Sequence, residues 1–240
     1  MHDLLYVLIY LSSFTLYDNT EGIKDEFSPL SPESWNKKVA YNTITDIDGN
    51  QYRTIKIGDA EWMAENLKST RYANGDLIRN CKDQLVWQTL DCGAYCSYNN
   101  NDSLALVYGN LYNHYTIQDQ RNVCPTGWRI PTMEDFNNLK AFASRYSNDL
   151  INEKHILNAV VTWENGSKGK DLIGYRALPG GHRNFDGYFY ANGIAAVFWT
   201  TKAFTNGTAV SYSIHEKQNH FFENALNIEN GISVRCVKED

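Results

Sequence analysis

Five cysteines, Cys81, Cys92, Cys96, Cys124 and Cys236, are the most reactive side chains in this 240-residue chain. No two stand in the C-x-x-C spacing that a zinc ribbon or a thioredoxin-type redox centre uses. Two disulfides and one free thiol suit an exported chain, and five buried thiols a cytosolic one. Cys124 and Cys236 are the obvious pair to expect bridged, and Cys81 is within a short loop of both Cys92 and Cys96. A near-match to a zinc-protease motif occurs at His215-Glu216-Lys217-Gln218-Asn219-His220, with Asn219 where the second histidine belongs. On a helix, residues five apart point about 140° away from each other, so these imidazoles do not share a metal there. Asp46, Asp48 and Asn50 have the alternation of a calcium loop. Gly49 comes one position too early, though, and Ile57 occupies the bidentate glutamate position, so turn chemistry is the reading. Gly166–Asp171 resembles a phosphate loop in composition only: the upstream glycine is missing and Asp171 replaces the magnesium-binding hydroxyl. Neither G-x-S-x-G nor G-x-G-x-x-G occurs. The expectation is a protein without catalytic residues, cofactor or metal.

Side chains suited to holding a ligand fall in two stretches. Trp199–Asn230 interleaves Trp199, Asn206, Tyr212, His215, His220, Phe222 and Asn224, where rings can stack on a sugar or protein and polar groups hydrogen-bond it. Tyr212 alternates in step with Val210 and Ile214, which also suits a core position. The second stretch is Gly181–Tyr190. There Arg183 and Asp186 can pair across a turn and hold Tyr188 and Tyr190 outward, or Arg183 can instead bind backbone carbonyls. A net charge of −6 gives no basic field for nucleic acid, so the expected partner is a glycan or protein.

These residues need a frame. Leu4–Tyr17 is an apolar run of 14 residues, short of the ~20 that a membrane span requires. Residues 1–19 read as an export leader or an apolar strand, 20–40 as a polar Ser/Pro linker, and 41–240 as one domain. Tyr41–Ile57 reads as a hairpin turning at Asp48-Gly49-Asn50, and Trp62 and Leu67 as core. Between Pro125 and Pro131, Trp128 and Ile130 alternate as a short buried strand. Thr132 then caps a helix over Met133–Tyr146, with Asp135 at the capping-box position and Phe136, Leu139, Phe142, Ala143 and Tyr146 on one face. A weaker helical pattern covers Ile151–Val161, followed by a polar loop. Ala195–Thr200, Ala209–Ile214 and Ile232–Val237 read as strands among Asn-Gly and Asp-Gly turns. Hairpins early, helices in the middle and a sheet late predict an α+β fold with both ends paired.

Several blocks carry a resemblance: DIDGNQY at Asp46–Tyr52, WMAENL at Trp62–Leu67, YANGD at Tyr72–Asp76, AYCSYNNN at Ala94–Asn101 and YGNLYN at Tyr108–Asn113. CPTGWRIPT at Cys124–Thr132, ALPGGHR at Ala177–Arg183, FWTT at Phe198–Thr201 and SVRCV at Ser233–Val237 complete the series. In this order they resemble the Fibrobacter succinogenes major paralogous domain family from about Thr43 to the end. The resemblance implies an envelope or secreted bacterial protein with a fold similar to C-type lectin-like and sulfatase-modifying-factor domains, built from small mixed or antiparallel sheets, about two helices and long loops. The calcium-site strings of true C-type lectins are absent, and the mid-strand place of Cys236 suits a structural bridge better than a redox nucleophile.

The expected function is therefore a non-enzymatic, exported or cell-surface binding or adhesion domain that presents its C-terminal loops to a ligand. The alternatives are a structural subunit of a surface appendage or envelope assembly, a diversified ligand-binding protein with an Asn/Tyr/His/Ser-rich tail, and a divergent sulfatase-modifying-factor-like enzyme.

Overall fold

The computed structural model describes residues 34–146, 157–160, 163–164, 169–218 and 220–239. The expected leader, most of the expected linker, residues 151–156 and 161 of the second helical pattern and the core of the loop after it lie outside them.

The chain opens with β1 (Asn42–Thr45) and β2 (Gln51–Ile57), an antiparallel hairpin in which Thr45 pairs with Gln51. Asp46 builds the turn. Its Oδ1 accepts the N–H groups of Asp48 and Asn50, and its Oδ2 accepts the Asn50 side chain and the Tyr52 hydroxyl. The carboxylate thus spends its lone pairs on its own chain, as turn chemistry requires. β3 (Ala60–Met63), β4 (Arg79–Asn80), β5 (Ala94–Cys96) and β6 (Leu111–Tyr112) follow, with helices α1 (Gln84–Trp87), α2 (Asp102–Tyr108) and α3 (His114–Gln118) among them. Asp83, Asn101 and Asn113 cap these helices through side-chain oxygens. At four to seven residues each they are too short to show a helical period. The described residues therefore hold four α-helices where the sequence suggests about two.

β7 (Trp128–Arg129) leads into α4 (Met133–Ser144), whose capping box has the form anticipated: Thr132 Oγ1 accepts the Asp135 N–H and Asp135 accepts the Thr132 N–H. Arg129 also grips Asp135 with two hydrogen bonds, at 2.6 and 3.0 Å. Phe136, Leu139 and Ala143 are buried, and the Phe136 ring packs against Trp62, Tyr212 and Phe221. Tyr146 lies past the helix end and is exposed.

β8 (Gly180–Arg183) and β9 (Phe189–Asn192) form a hairpin, and β10 (Ala195–Ala203), β11 (Thr208–His215) and β12 (Phe221–Asn227) an antiparallel sheet. One face of that sheet, with Phe198, Tyr212 and Phe221, packs under α4; Val197, Trp199 and Ala209 face a second cluster around Trp128 and Cys124. β13 (Val237–Lys238) inserts between β3 and β7, so the sheet order is β1-β2-β3-β13-β7 and the last strand joins the sheet of the first. The expected strand Ile232–Val237 shrinks to this remnant. Gly231, Ile232 and Ser233 make single bridges to Arg183, Tyr112 and Phe198, three different elements, so no neighbour runs alongside long enough to form a ladder. Cys124 and Cys236 are joined by a disulfide, as the sequence suggests. Small, mainly antiparallel sheets with short helices make this an α+β fold. Among the described residues no helix is long and apolar enough to cross a membrane.

Three arginines are fully buried. Arg235 donates to Asn66 Oδ1 at 2.8 Å, to the Arg176 carbonyl at 2.7 Å and to the Tyr175 carbonyl, tying the last segment to two distant ones. The Arg176 and Arg53 guanidiniums lie 4.0 and 4.1 Å from the Trp35 ring centre, so from Ser34 onward the chain belongs to the folded domain and not to a linker. Beside them the buried Asp171 accepts the Arg176 N–H at 2.8 Å. Burial pushes its carboxyl up to about 7, against the pull of Arg176 and Arg235. A raised folded-state pKa means the native state favours the protonated acid. Its stabilising contribution is complete below the ordinary carboxylate pKa and is lost as pH rises through 7. Thermal melts of Asp171→Asn are expected to be flatter than wild type between pH 5 and 7.5, removing a slope of up to about 1.4 kcal/mol per pH unit. Parallel curves for the two proteins would assign the pH dependence elsewhere.

Candidate functional site

The β8–β9 hairpin pairs His182 with Tyr190 and Arg183 with Phe189, and the Asn184 N–H bonds the Tyr188 carbonyl at 2.8 Å. Strand alternation separates two faces. His182, Asn184, Tyr188 and Tyr190 share one, while Arg183 and Phe189 share the other. Residues 184–187 make the turn, closed by the Gly187 N–H to the Asn184 carbonyl. Gly187 has φ +81°, and a Cβ there would stand 2.8 Å from the Gln84 carbonyl, so both conformation and contact demand glycine.

Arg183 holds this turn from within. Its Nη1 donates to the Cys81 carbonyl at 2.7 Å, its Nη2 to the Lys82 and Asp83 carbonyls, and its Nε to the Gly187 carbonyl at 2.9 Å. The guanidinium also lies 4.4 Å from the Trp87 ring centre. It makes no ion pair with Asp186, and of the two readings for Arg183 the structure has the carbonyl-binding one. Being wholly buried, Arg183 is a support and not a ligand contact. The Asp186 carbonyl in turn accepts from the side chains of Gln84 and Gln88, which clamps α1 to the turn.

Outside this clamp, Phe185, Tyr188 and Tyr190 are 50, 55 and 45% exposed, and Leu85 and Val86 of α1 are exposed as well. These are five of the ten large apolar side chains exposed among the described residues, so apolar exposure is concentrated on this one assembly. Polar groups accompany the rings. Asp186 Oδ1 accepts the Tyr188 N–H, and Oδ2 lies 3.5 Å from the Tyr190 hydroxyl. The half-buried His182 ring sits 5.8 Å from that of Tyr190, and its Nδ1 has no hydrogen-bond partner among the described residues. Burial, aided by His215 at the end of β11, depresses the His182 pKa, so the imidazole is neutral at pH 7.

The other anticipated stretch is mostly sheet. Trp199 is buried, with its indole N–H on the Tyr112 carbonyl at 2.8 Å. Tyr212 is buried and stacked on Phe136, its hydroxyl between Asn137 and Glu223. Neither can touch a ligand, because each faces one of the two cores. Phe222 and Asn224 are half-buried on β12, where Asn224 bonds Ser213 Oγ at 2.9 Å. Asn206 and His220 are exposed at the strand connections, and Asn206 accepts the Thr208 N–H and hydroxyl within its turn. The expected C-terminal loops are thus reduced to two connections. The structure gathers Asp186, Tyr188 and Tyr190, brings His215 within electrostatic reach of His182, and scatters the rest. His182 and Phe185 lie within the expected Gly181–Tyr190 stretch without being singled out there, although the hairpin register leading into the Asp186-Gly187 turn places His182 beside Tyr190.

Among the described residues no cysteine is set up as a nucleophile. Cys81, Cys92 and Cys96 are free thiols rather than a Cys81–Cys92 bridge; Cys81 and Cys96 are buried whereas Cys92 is exposed. Burial raises the thiol pKa of Cys81 and pushes that of Cys96 up to about 12, the reverse of an activated nucleophile. Cys236 is bonded to Cys124 and offers no thiol. Among the described residues no three His, Cys, Asp or Glu side chains cluster as a metal site would need. A cleft of about 410 Å³ runs between α4 and the β2–β3 turn, but its Arg129 is paired with Asp135 and its Lys238 with Glu61.

The chain matches the family described as the Fibrobacter succinogenes major domain over residues 55–238. It belongs to that family. The match runs from within β2 to β13 and includes both bridged cysteines and the whole β8–β9 hairpin. No curated protein and no solved structure matches the chain.

Proposed function

We propose that this is a non-enzymatic, exported or cell-surface binding domain of C-type lectin-like fold that holds a glycan on the outer face of the β8–β9 hairpin. The observation that carries the reading is the exposed pair Tyr188 and Tyr190 beside Asp186 and His182. Residues two apart on a strand stand ~7 Å from each other. Two rings at that spacing offer successive sugar units an apolar face, while a carboxylate and a neutral imidazole serve the hydroxyls at their edges. A protein hot spot is more often a fully desolvated apolar pocket than an open polar-edged face. The disulfide suits an oxidising compartment, and the family's fold kinship supports the lectin-like topology.

A glycan array probed with wild type and with Tyr188→Ala/Tyr190→Ala tests the site. At about 1–1.5 kcal/mol per ring, the double variant should bind roughly 30- to 150-fold more weakly, with an unchanged melting temperature. Asn206→Ala/His220→Ala should bind as wild type. Equal glycan binding by wild type and the tyrosine variant would remove the hairpin from the site. Failure of wild type to bind any glycan, with a protein partner lost only by the tyrosine variant, would turn the same face to protein recognition.

A further inference from the structure

Three thiols lie on the segment that supports the hairpin from beneath. β4 and β5 run parallel, with Arg79 opposite Ala94 and Asn80 opposite Tyr95. The Cys81 N–H donates to the Tyr95 carbonyl at 2.9 Å, extending the ladder by one residue and setting Cys81 opposite Cys96. Residues aligned across neighbouring strands project to the same face, and such strands lie about 4.8 Å apart. That separation falls within the ~4.4–6.8 Å between Cα atoms that a disulfide spans. Both side chains are buried in one apolar cluster with Trp87, Leu90 and Leu111. Cys92 lies before β5, exposed and outside the ladder.

We propose that Cys81 and Cys96 are a second bonding pair, closed by exchange with a small-molecule or protein disulfide, and that Cys92 stays free. The Cys81 thiolate attacks one sulfur of the oxidant, forming a mixed disulfide and releasing one oxidant thiolate. Cys96 then gives its proton to solvent and displaces the second. The Cys81–Cys96 bond forms, the oxidant's S–S bond breaks, and two electrons pass to the oxidant, which leaves as two thiols. Because burial raises both thiol pKa values in the folded chain, the exchange belongs to folding, before Trp87 and Leu90 cover the pair. The oxidant that closes Cys124–Cys236 serves here too. The bridge would fix the strand ends beside the Cys81 carbonyl that Arg183 holds, and so the floor of the aromatic face. This pairing is independent of what the face binds.

The test is reoxidation of the reduced, unfolded full chain in a glutathione redox buffer, then digestion without reduction. Trypsin isolates Cys81 between Arg79 and Lys82, and chymotryptic cleavage after Tyr95 separates Cys92 from Cys96. The expected products are peptides linked Cys81–Cys96 and Cys124–Cys236, with one titratable thiol. Cys92→Ser should keep both links and lose that thiol. Cys96→Ser should melt about 5–10 °C below oxidised wild type, from the loss of a 15-residue loop closure, and above wild type held in reductant, which loses both bridges. Should Cys96→Ser not fold, the mapping of wild type and Cys92→Ser decides alone. A Cys81–Cys92 peptide, or three free thiols after complete closure of Cys124–Cys236, would overturn the pairing.

Discussion

Replacing Cys236 with alanine is expected to destabilise the domain by about 4–5 kcal/mol, the chain-entropy value for closing a loop of roughly a hundred residues. The bridge spans 112 positions, and both cysteines are fully buried. Its structural role magnifies the effect. β13 has only two residues and pairs through Val237 with Trp62 on one side and Arg129 on the other. A strand that short makes too few hydrogen bonds to offset the entropy of fixing the chain, so the disulfide and the buried Arg235 hold the end in place. For a domain of this size the loss corresponds to a melting temperature lower by roughly 10–15 °C. Melts of oxidised wild type beside oxidised Cys236→Ala measure it. A shift below about 2 °C would show that the packing of Ile232 and Val234 alone retains the terminus.

Arg183→Met should cost at least about 3–5 kcal/mol, since each buried carbonyl that loses its donor costs about 1–3 kcal/mol. Methionine fills much of the volume against Trp87 and Phe189 but leaves the carbonyls of Cys81, Lys82, Asp83 and Gly187 without their donor. A buried carbonyl that loses its partner forfeits its hydration with nothing in return. Arg183→Lys should recover only part of the stability, because an ammonium is a point donor and cannot serve four carbonyls in the plane of a guanidinium. Both variants should also weaken ligand binding through the loosened turn. They differ from the tyrosine pair in losing stability and binding together. Denaturant titration with the array assay separates the two cases, and a fully stable Arg183→Met would show that water can replace the guanidinium.

What was legible in the chain is what neighbours decide. Thr132 and Asp135 cap α4 because the two side chains reach each other's backbone three residues apart. Asp46 turns the first hairpin by bonding groups two and four residues ahead, and the Asp186-Gly187 turn is likewise local. α1, α2 and α3 obey the same Asx-capping rule, but helices of four to seven residues do not complete enough turns to reveal a face. β12 went unread because Phe221-Phe222-Glu223-Asn224-Ala225 does not alternate cleanly; both of its faces are partly covered.

The candidate site divides along the same line. Tyr188 and Tyr190 face outward by hairpin register, which the sequence carries, and the pairing of Cys124 with Cys236 was readable from their setting. Whether Trp199 and Tyr212 face solvent or core was not, since alternation names two faces without saying which one is covered. For Trp199 the answer is the Tyr112 carbonyl, 87 residues away; for Tyr212 it is Asn137 and Phe136, about 75 residues away. Arg183 is the sharpest instance. Its sequence neighbour Asp186 offered an ion pair, yet carbonyls about 100 residues earlier surround it in the buried space behind the hairpin. By itself the sequence determined the α4 cap and the turns, which short-range hydrogen bonding and chain stiffness set, and it pointed to the Cys124–Cys236 pair. Only the tertiary structure decided which aromatic face stays open, because burial is a property of what the distant chain brings to cover it.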